Sequence, residues 1–258
     1  MVNWTLHGRI VSPFQVIKQG VLVLGGLCVV IWRGDAFASP SALGSPEQIS
    51  IVNRTASTSV HEHLVRGEEA LARYANTGGR TALMEALELL SGVNAYFSPK
   101  VLKARQEKAG SLDAEDVIAF ARFSNVMFRY TGQPPLFRQA RDSLDFLKEQ
   151  RKHLLGEARR SFRQAEEELR TAPLHITVVG AKSDVQAQLL WKEAVRVNDQ
   201  YLRREWWDRR EGALPNPDVR YPQLASAAAF VCVDTRCSVP LFTEQELRER
   251  LAQREMEK

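Results

Sequence analysis

Cys232 and Cys237 are the residues whose type and spacing most invite a chemical reading. They stand in Ala-Ala-Phe-Val-Cys-Val-Asp-Thr-Arg-Cys-Ser-Val-Pro, residues 228–240, and are two of the chain's three cysteines. Such a pair suits a metal clamp, a redox centre or a disulfide. A zinc site needs two further ligands. Past the N-terminal segment the chain offers His61, His63, His153 and His175, none at the paired spacing of a finger or ribbon. No metal is therefore expected. Redox catalysis calls for Cys-x-x-Cys at a helix N-terminus, where the helix dipole lowers the thiol pKa. Here the first cysteine lies in a strand-like run and the second precedes Ser-Val-Pro. A structural disulfide is the favoured reading, with two buried free thiols as the alternative. Its task would be to fix the exit of the last strand.

Other constellations are weaker. His61-Glu-His63 could suggest a metal pair, but i and i+2 point to different faces of a helix, so a solvated helix start is expected. Gly180-Ala-Lys-Ser183 has the end of a phosphate loop without its first glycine, and Ser183 suits an N-cap. Paired carboxylates could serve glycoside hydrolysis, and Glu62, Glu68, Asp113, Glu115 and Asp116 are available. Helix first turns, however, favour acids for dipole reasons. Trp206-Trp207 lies among arginines and is a candidate binding platform, since adjacent residues face different ways and one can be exposed; the alternative buries one and uses the other to cap an edge. Phe120, Phe123 and Phe128 have helical spacing and are expected in the core. No catalytic residue and no cofactor are assigned.

Charge and hydropathy bound the partners and the compartment. The 258-residue chain is 44% hydrophobic and 26% charged, an ordinary globular composition. Its formal charge of +4 falls to +2 once residues 1–38 are set aside, too little to argue for nucleic acid. Arg9 and Lys18 precede Gly20–Trp32, a charge-free run of 13 residues. That run suits the apolar core of a secretion signal, whereas a spanning helix needs about 20 residues. Ala36-Phe37-Ala38 then has the small-x-small form of a cleavage site, so residues 1–38 read as a signal peptide cut after Ala38. The alternative is an uncleaved anchor at residues 20–32, the sole route to a membrane. The expected location is periplasmic or otherwise exported, which favours the disulfide. Residues 39–58 are rich in Ser, Thr, Pro and Gly and read as a linker.

Behind these residues stand the elements that must position them. From 59 to 172 the pattern is helical: five or six helices joined by short turns, with antiparallel neighbours. Ser59-Val-His-Glu62 has capping-box spacing, Asn76-Thr-Gly-Gly79 and Thr131-Gly-Gln-Pro-Pro135 are turns, and Ser98-Pro99 opens a helix. After Pro173 the pattern changes. His175-Ile-Thr-Val-Val-Gly180 reads as a buried strand, Ser183-Asp-Val-Gln186 as the cap of a helix, and Ala227–Val233 as a second strand. Thr243-Glu-Gln-Glu246 caps a final helix. The two strands are expected to run parallel in a small α/β unit over 173–258, with residues 201–211 undecided between helix and strand.

Two features together resemble a known family. Leu71-Ala-Arg-Tyr-Ala-Asn-Thr-Gly-Gly and Asn125-Val-Met-Phe-Arg-Tyr-Thr-Gly-Gln resemble hairpin turns of six-hairpin (α/α) toroids. Phe230-Val-Cys-Val-Asp-Thr-Arg-Cys-Ser-Val-Pro240, followed by a capped helix, is similar to the end of the YyaL/spermatogenesis-associated thioredoxin-domain family. The resemblance covers about residues 65–250. It implies a mainly α fold, a partial (α/α) hairpin toroid followed by the small α/β unit. Relatives in that family carry a thioredoxin-like domain with Cys-x-x-Cys, and this chain contains no Cys-x-x-Cys. The short basic stretch Lys100–Gly110 stands where the family has a Gly- and Asp-rich segment. The expectation is an exported, non-catalytic binding or scaffold domain whose partner is a protein or glycan of the cell envelope. The alternatives are a carbohydrate-active enzyme completed by oligomerisation and a thiol-disulfide accessory protein.

Overall fold

The computed structural model describes residues 5–6, 9–10, 46–109, 113–233 and 236–256. The chain divides into two compact units, Met1–Asn53 and Arg54–Lys258. In the first, β1 (Thr5–Leu6) and β2 (Arg9–Ile10) form a minimal antiparallel pair. The apolar run 20–32, Cys28, and the expected cleavage site at Ala36 and Ala38 lie outside the described residues.

Helix α1 (Pro46–Thr77) corrects the expected linker, because residues 46–58 are helical. Pro46 occupies the first turn, where a missing N–H costs nothing, and no Gly or Pro follows before Gly67. Ser and Thr lower helix propensity only modestly, so they do not end a helix. Position 59 therefore lies inside α1 and not at its start, which corrects the capping-box reading of Ser59-Val-His-Glu62.

Five helices follow in the second unit: α2 (Arg80–Val93), α3 (Pro99–Ala109), α4 (Ala114–Thr131), α5 (Pro134–Lys148) and α6 (Gly156–Arg170). The two Thr-Gly turns use one device. Gly78 and Gly132 sit at φ +65° and +68°, the left-handed conformation that ends a helix. The hydroxyls of Thr77 and Thr131 donate back to the carbonyls of Arg73 and Met127. They also accept from the N–H groups of Gly79 and Gln133. Asp113 caps α4 by accepting from Glu115 and Asp116.

Helix α4 is the centre of the helical layer. It packs against α2, α5, α6 and the sheet, and buries Val117, Ile118, Phe120, Phe123, Met127 and Tyr130. Phe120 stacks on Phe97 with ring centroids 4.2 Å apart, and Tyr74 meets Tyr130 edge-on at 5.3 Å. Phe120 and Phe123 are buried and Phe128 is half-buried against the same core. Close approach is built in at Gly67, where an added Cβ would lie 2.5 Å from the Phe123 ring.

The sheet is a second layer with order β4-β3-β5-β6. Its elements are β3 (Leu174–Val179), α7 (Val185–Val195), β4 (Leu202–Trp207), β5 (Ala228–Val233), β6 (Arg236–Cys237) and α8 (Glu244–Met256). Residues 202–207, undecided in sequence, are a strand, and they supply the parallel partner of β3. The second strand expected at Ala227–Val233 is β5, but it pairs antiparallel with β3, which corrects the parallel reading. The crossover through α7 returns to β4, so the long connection after β4 is free to bring β5 in on the opposite edge with reversed direction. The cap of α7 is also one residue later than expected: Asp184, not Ser183, accepts from Gln186 and Ala187. The cap of α8 forms as read, with Thr243 and Glu246 each accepting from the other's N–H.

One sheet face, carrying Leu174, Ile176, Val178, Ala229 and Val231, packs against Leu190, Trp191 and Ala194 of α7 and Leu247 of α8. The two layers have separate hydrophobic clusters but belong to one compact unit. Polar ties cross between them. The Trp191 indole donates to the Asn76 carbonyl at 2.9 Å, and Arg80 donates to the carbonyls of Gly212 and Ala213. Lys182 donates to the Gly78 carbonyl, and the Tyr130 hydroxyl accepts the N–H of Arg204 at 2.9 Å.

Candidate functional site

Strand register decides what the other sheet face presents. Arg203 of β4 lies opposite His175 of β3, His175 lies opposite Cys232 of β5, and Cys232 lies opposite Cys237 of β6. Directly opposed residues share a face, so these four form one row across the whole sheet. The next row is Glu205, Thr177 and Phe230. Tyr221, Val219 and Leu224 cover this face from the connection between β4 and β5.

Polar groups of these rows and of the covering connection form a connected chain of bonds. Arg203 contacts the Glu205 carboxylate at 2.7 Å and Asp218 at 2.6 Å, and it donates to the Asn216 carbonyl. His175 Nε2 lies 2.9 Å from Glu205 Oε2 and 2.8 Å from Thr177 Oγ1. A carboxylate beside a guanidinium accepts and does not donate, so Nε2 carries the proton. Tyr221 donates its hydroxyl to Thr177 Oγ1 at 2.7 Å. Burial is the largest cause of the lowered His175 pKa, which keeps the ring neutral, and burial likewise raises Tyr221. The side chains of Arg203 and Glu205 are 3% and 0% exposed. Charges so deeply buried persist because they are paired. Two atoms of the cluster, Glu205 Oε1 and Arg203 Nε, are buried without a protein partner.

A second cluster lies between α1 and α4. His61 Nδ1 is 2.8 Å from Asp116 Oδ1, with side chains 65% and 9% exposed. The hydrogen bond to Asp116 is the main cause of a raised His61 pKa, helped by the charges of Asp116, Asp113 and Glu68. Glu68 is itself raised by burial, opposed by Arg122. Three of the five carboxylates singled out in sequence thus gather around His61. Asp113, however, is engaged as the α4 cap and Asp116 as the His61 partner. Beside them Arg122 grips Glu168 through two bonds of 2.9 and 2.7 Å.

Among the described residues no group of three His, Cys, Asp or Glu side chains is arranged to hold a metal ion. Trp206 and Trp207 do face opposite ways. Trp206 packs on Trp191 at 5.2 Å and donates to the Gly180 carbonyl. Trp207 packs near Tyr221 at 5.9 Å, carries Arg209 over its ring, and donates to the Gly212 carbonyl. Both are half-buried with their N–H groups occupied.

Cys232 and Cys237 are disulfide-bonded with Cα atoms 3.9 Å apart. Cys232 is buried and Cys237 exposed. The loop they close spans a sequence separation of 5. On loop-closure grounds so short a bridge contributes about 2 kcal/mol. The bond extends the row of Arg203 and His175 to the edge of the sheet.

Sequence reasoning missed the His175–Glu205–Arg203–Asp218 network. Its signal was present as alternation: His175 and Thr177 two apart in one strand, Arg203 and Glu205 two apart in another. Reading it required the register between them, which only the parallel pairing supplies.

An open groove of about 360 Å³ lies along α5 and α6, with Phe137, Leu144 and Leu169 among its lining. Its rim carries Lys148 paired with Asp145, and Arg170 beside Glu166. No family model, no curated protein and no solved structure matches this chain.

Proposed function

We propose that the protein is an exported, non-catalytic binding or scaffold domain of the cell envelope, with a protein or glycan as its partner. The observation that carries this reading is the filled helical layer. The central helix α4 is buried against its neighbours, where an enzyme built from helical hairpins would keep a lined hollow. The strongly polar groups support it as well. His175, Glu205 and Arg203 are engaged with one another, Asp116 with His61, and Glu168 with Arg122, as struts between elements. The disulfide suits an oxidising compartment, and the N-terminal segment reads as an export signal. The groove along α5 and α6, apolar within and charged at its rim, is the surface we assign to the partner. Affiliation with the YyaL-like family rests on the two Thr-Gly turns and the closing Cys-x4-Cys motif, and a partial toroid of hairpins is the architecture that affiliation carries.

Fractionation of a secreting host with N-terminal sequencing tests the export half. The expected product begins at Ser39 outside the cytoplasm. Retention of residues 20–32 in the membrane would favour the anchored form, and a cytosolic product with reduced cysteines would overturn export. For the binding half, purified protein is sedimented with cell-wall polysaccharide and with envelope protein extract while reducing-end release is followed. Binding without hydrolysis is expected, and weakened binding in Lys148→Glu, a change at a half-exposed rim residue, would place it at the groove. Release of reducing ends that disappears in Asp116→Asn would replace the scaffold by a hydrolase.

A further inference from the structure

The segment 236–241 lies along the outer edge of β5 as a strap, and its fastenings are few. Val233 pairs with Arg236 and Cys232 with Cys237. The Ser238 N–H donates to the Val231 carbonyl, and the Ser238 hydroxyl accepts from the Val231 N–H. Ala229 and Leu241 then exchange two backbone bonds. Between Ser238 and Leu241 the strap has two residues where β5 has one, a bulge containing Pro240, which has no N–H to give. Val239 within the bulge is 75% exposed.

We infer that the Cys232–Cys237 bond is a redox-operated latch on this strap, opened by thiol reductants without unfolding the domain. Four observations carry it. First, the bond joins a non-hydrogen-bonded antiparallel pair, since the flanking Val231–Ser238 pair makes the ladder bond. The bond thus stands between ladder bonds and can open without removing one of them. Second, Cys237 is exposed while Cys232 is buried, so an incoming thiolate has one sulfur to attack. Third, the elements on either side hold themselves. β5 is paired along its inner edge with β3, and α8 has its own capping box, a buried Leu247 and the Arg248–Glu193 pair. Fourth, Cys232 stands directly opposite His175, so the state of the latch adjoins the buried polar cluster.

With glutathione as the reductant the chemistry balances. A glutathione thiolate attacks Sγ of Cys237, the Cys232–Cys237 bond breaks, and Cys232 leaves as a thiolate that takes a proton from solvent. A second glutathione thiolate then attacks the mixed disulfide, releasing Cys237 and glutathione disulfide. Opening leaves the N–H and C=O groups of Ala229, Val231 and Val233 along an unlatched edge.

The test equilibrates the full chain in a series of reduced-to-oxidised glutathione ratios, with alkylation and peptide mapping to score Cys232 and Cys237 apart from Cys28. The bond is expected to open while circular dichroism and tryptophan fluorescence stay native. Amide exchange at Ala229 and Val231 should rise at least about tenfold, while Ile176 and Val178 keep their protection. Cys237→Ser should reproduce that exchange pattern without reductant. If it does not fold, the glutathione series on the natural chain decides. A bond that opens only with global unfolding overturns the latch, as does opening that leaves Ala229 and Val231 unchanged. The result is independent of export and of binding, which have their own readouts.

Discussion

At the scale of single residues, two histidines should pull the stability of this protein in opposite directions as pH changes. His61 is raised by its bond to Asp116, so its contribution is complete below its unfolded value of 6.5 and is lost as pH rises through the higher folded value. His175 is lowered by burial, so its neutral form favours the fold above 6.5, and stability falls as pH drops below that point. Urea unfolding of His61→Asn beside the natural protein should show a gap near pH 5.5 that closes toward pH 8, and a gap constant in pH would refute the pairing. Glu205→Ala leaves the Arg203 cation buried and should cost about 3–5 kcal/mol. Asp218→Ala removes a partner that is 46% exposed and should cost under about 1 kcal/mol. Equal losses in the two variants would mean that burial does not set the weight of this network. Sequence alone could place the Cys232–Cys237 disulfide because compartment and spacing bear on it locally. The Arg203–Glu205–His175 cluster was hidden because it depends on which strand lies next to which.

At the scale of elements, close contacts outweigh intrinsic preference. Gly67 sits within a helix, where Ala is ordinarily favoured by up to about 1 kcal/mol. An added methyl group would collide with the buried Phe123 ring, so Gly67→Ala should instead destabilise by about 1–3 kcal/mol in chemical denaturation. A stabilised variant would show that α1 and α4 can move apart freely. Tyr130→Phe removes the acceptor for the Arg204 N–H on the outer edge of β4, with an expected loss of about 1–3 kcal/mol. The helix ends at Thr77 and Thr131 were legible because Gly, Thr and Pro act on their own neighbours. The start of α1 was not, since Ser and Thr clusters suit both an irregular segment and a helix that packing holds. The direction of β5 was equally hidden. Strand identity follows from side chains, whereas parallel or antiparallel pairing follows from which connection returns to which edge.

At the scale of the whole molecule, the helical layer and the sheet should unfold together although their apolar cores are distinct. The Trp191–Asn76, Arg204–Ala75, Arg80–Gly212 and Lys182–Gly78 bonds cross between the layers, so neither loosens without exposing the other's polar groups. Calorimetry should give one transition for Arg54–Lys258, with van't Hoff and calorimetric enthalpies in agreement. Two separated transitions would make the layers independent domains. The mainly helical character with a small terminal α/β portion was readable from periodicity. That these portions share one compact unit was not, because the bonds joining them link residues about a hundred positions apart. The strap on β5 has a consequence for life in a crowded compartment. An open sheet has two rims, and each can recruit a strand from a neighbouring molecule and seed aggregates. Here one rim has its Arg204 N–H taken by the Tyr130 hydroxyl of the packed helix α4, and the other ends in a two-residue strand followed by a bulge and a proline. The fold thus withholds both rims from its neighbours, and the protein should stay monodisperse at high concentration for as long as its last two cysteines remain joined.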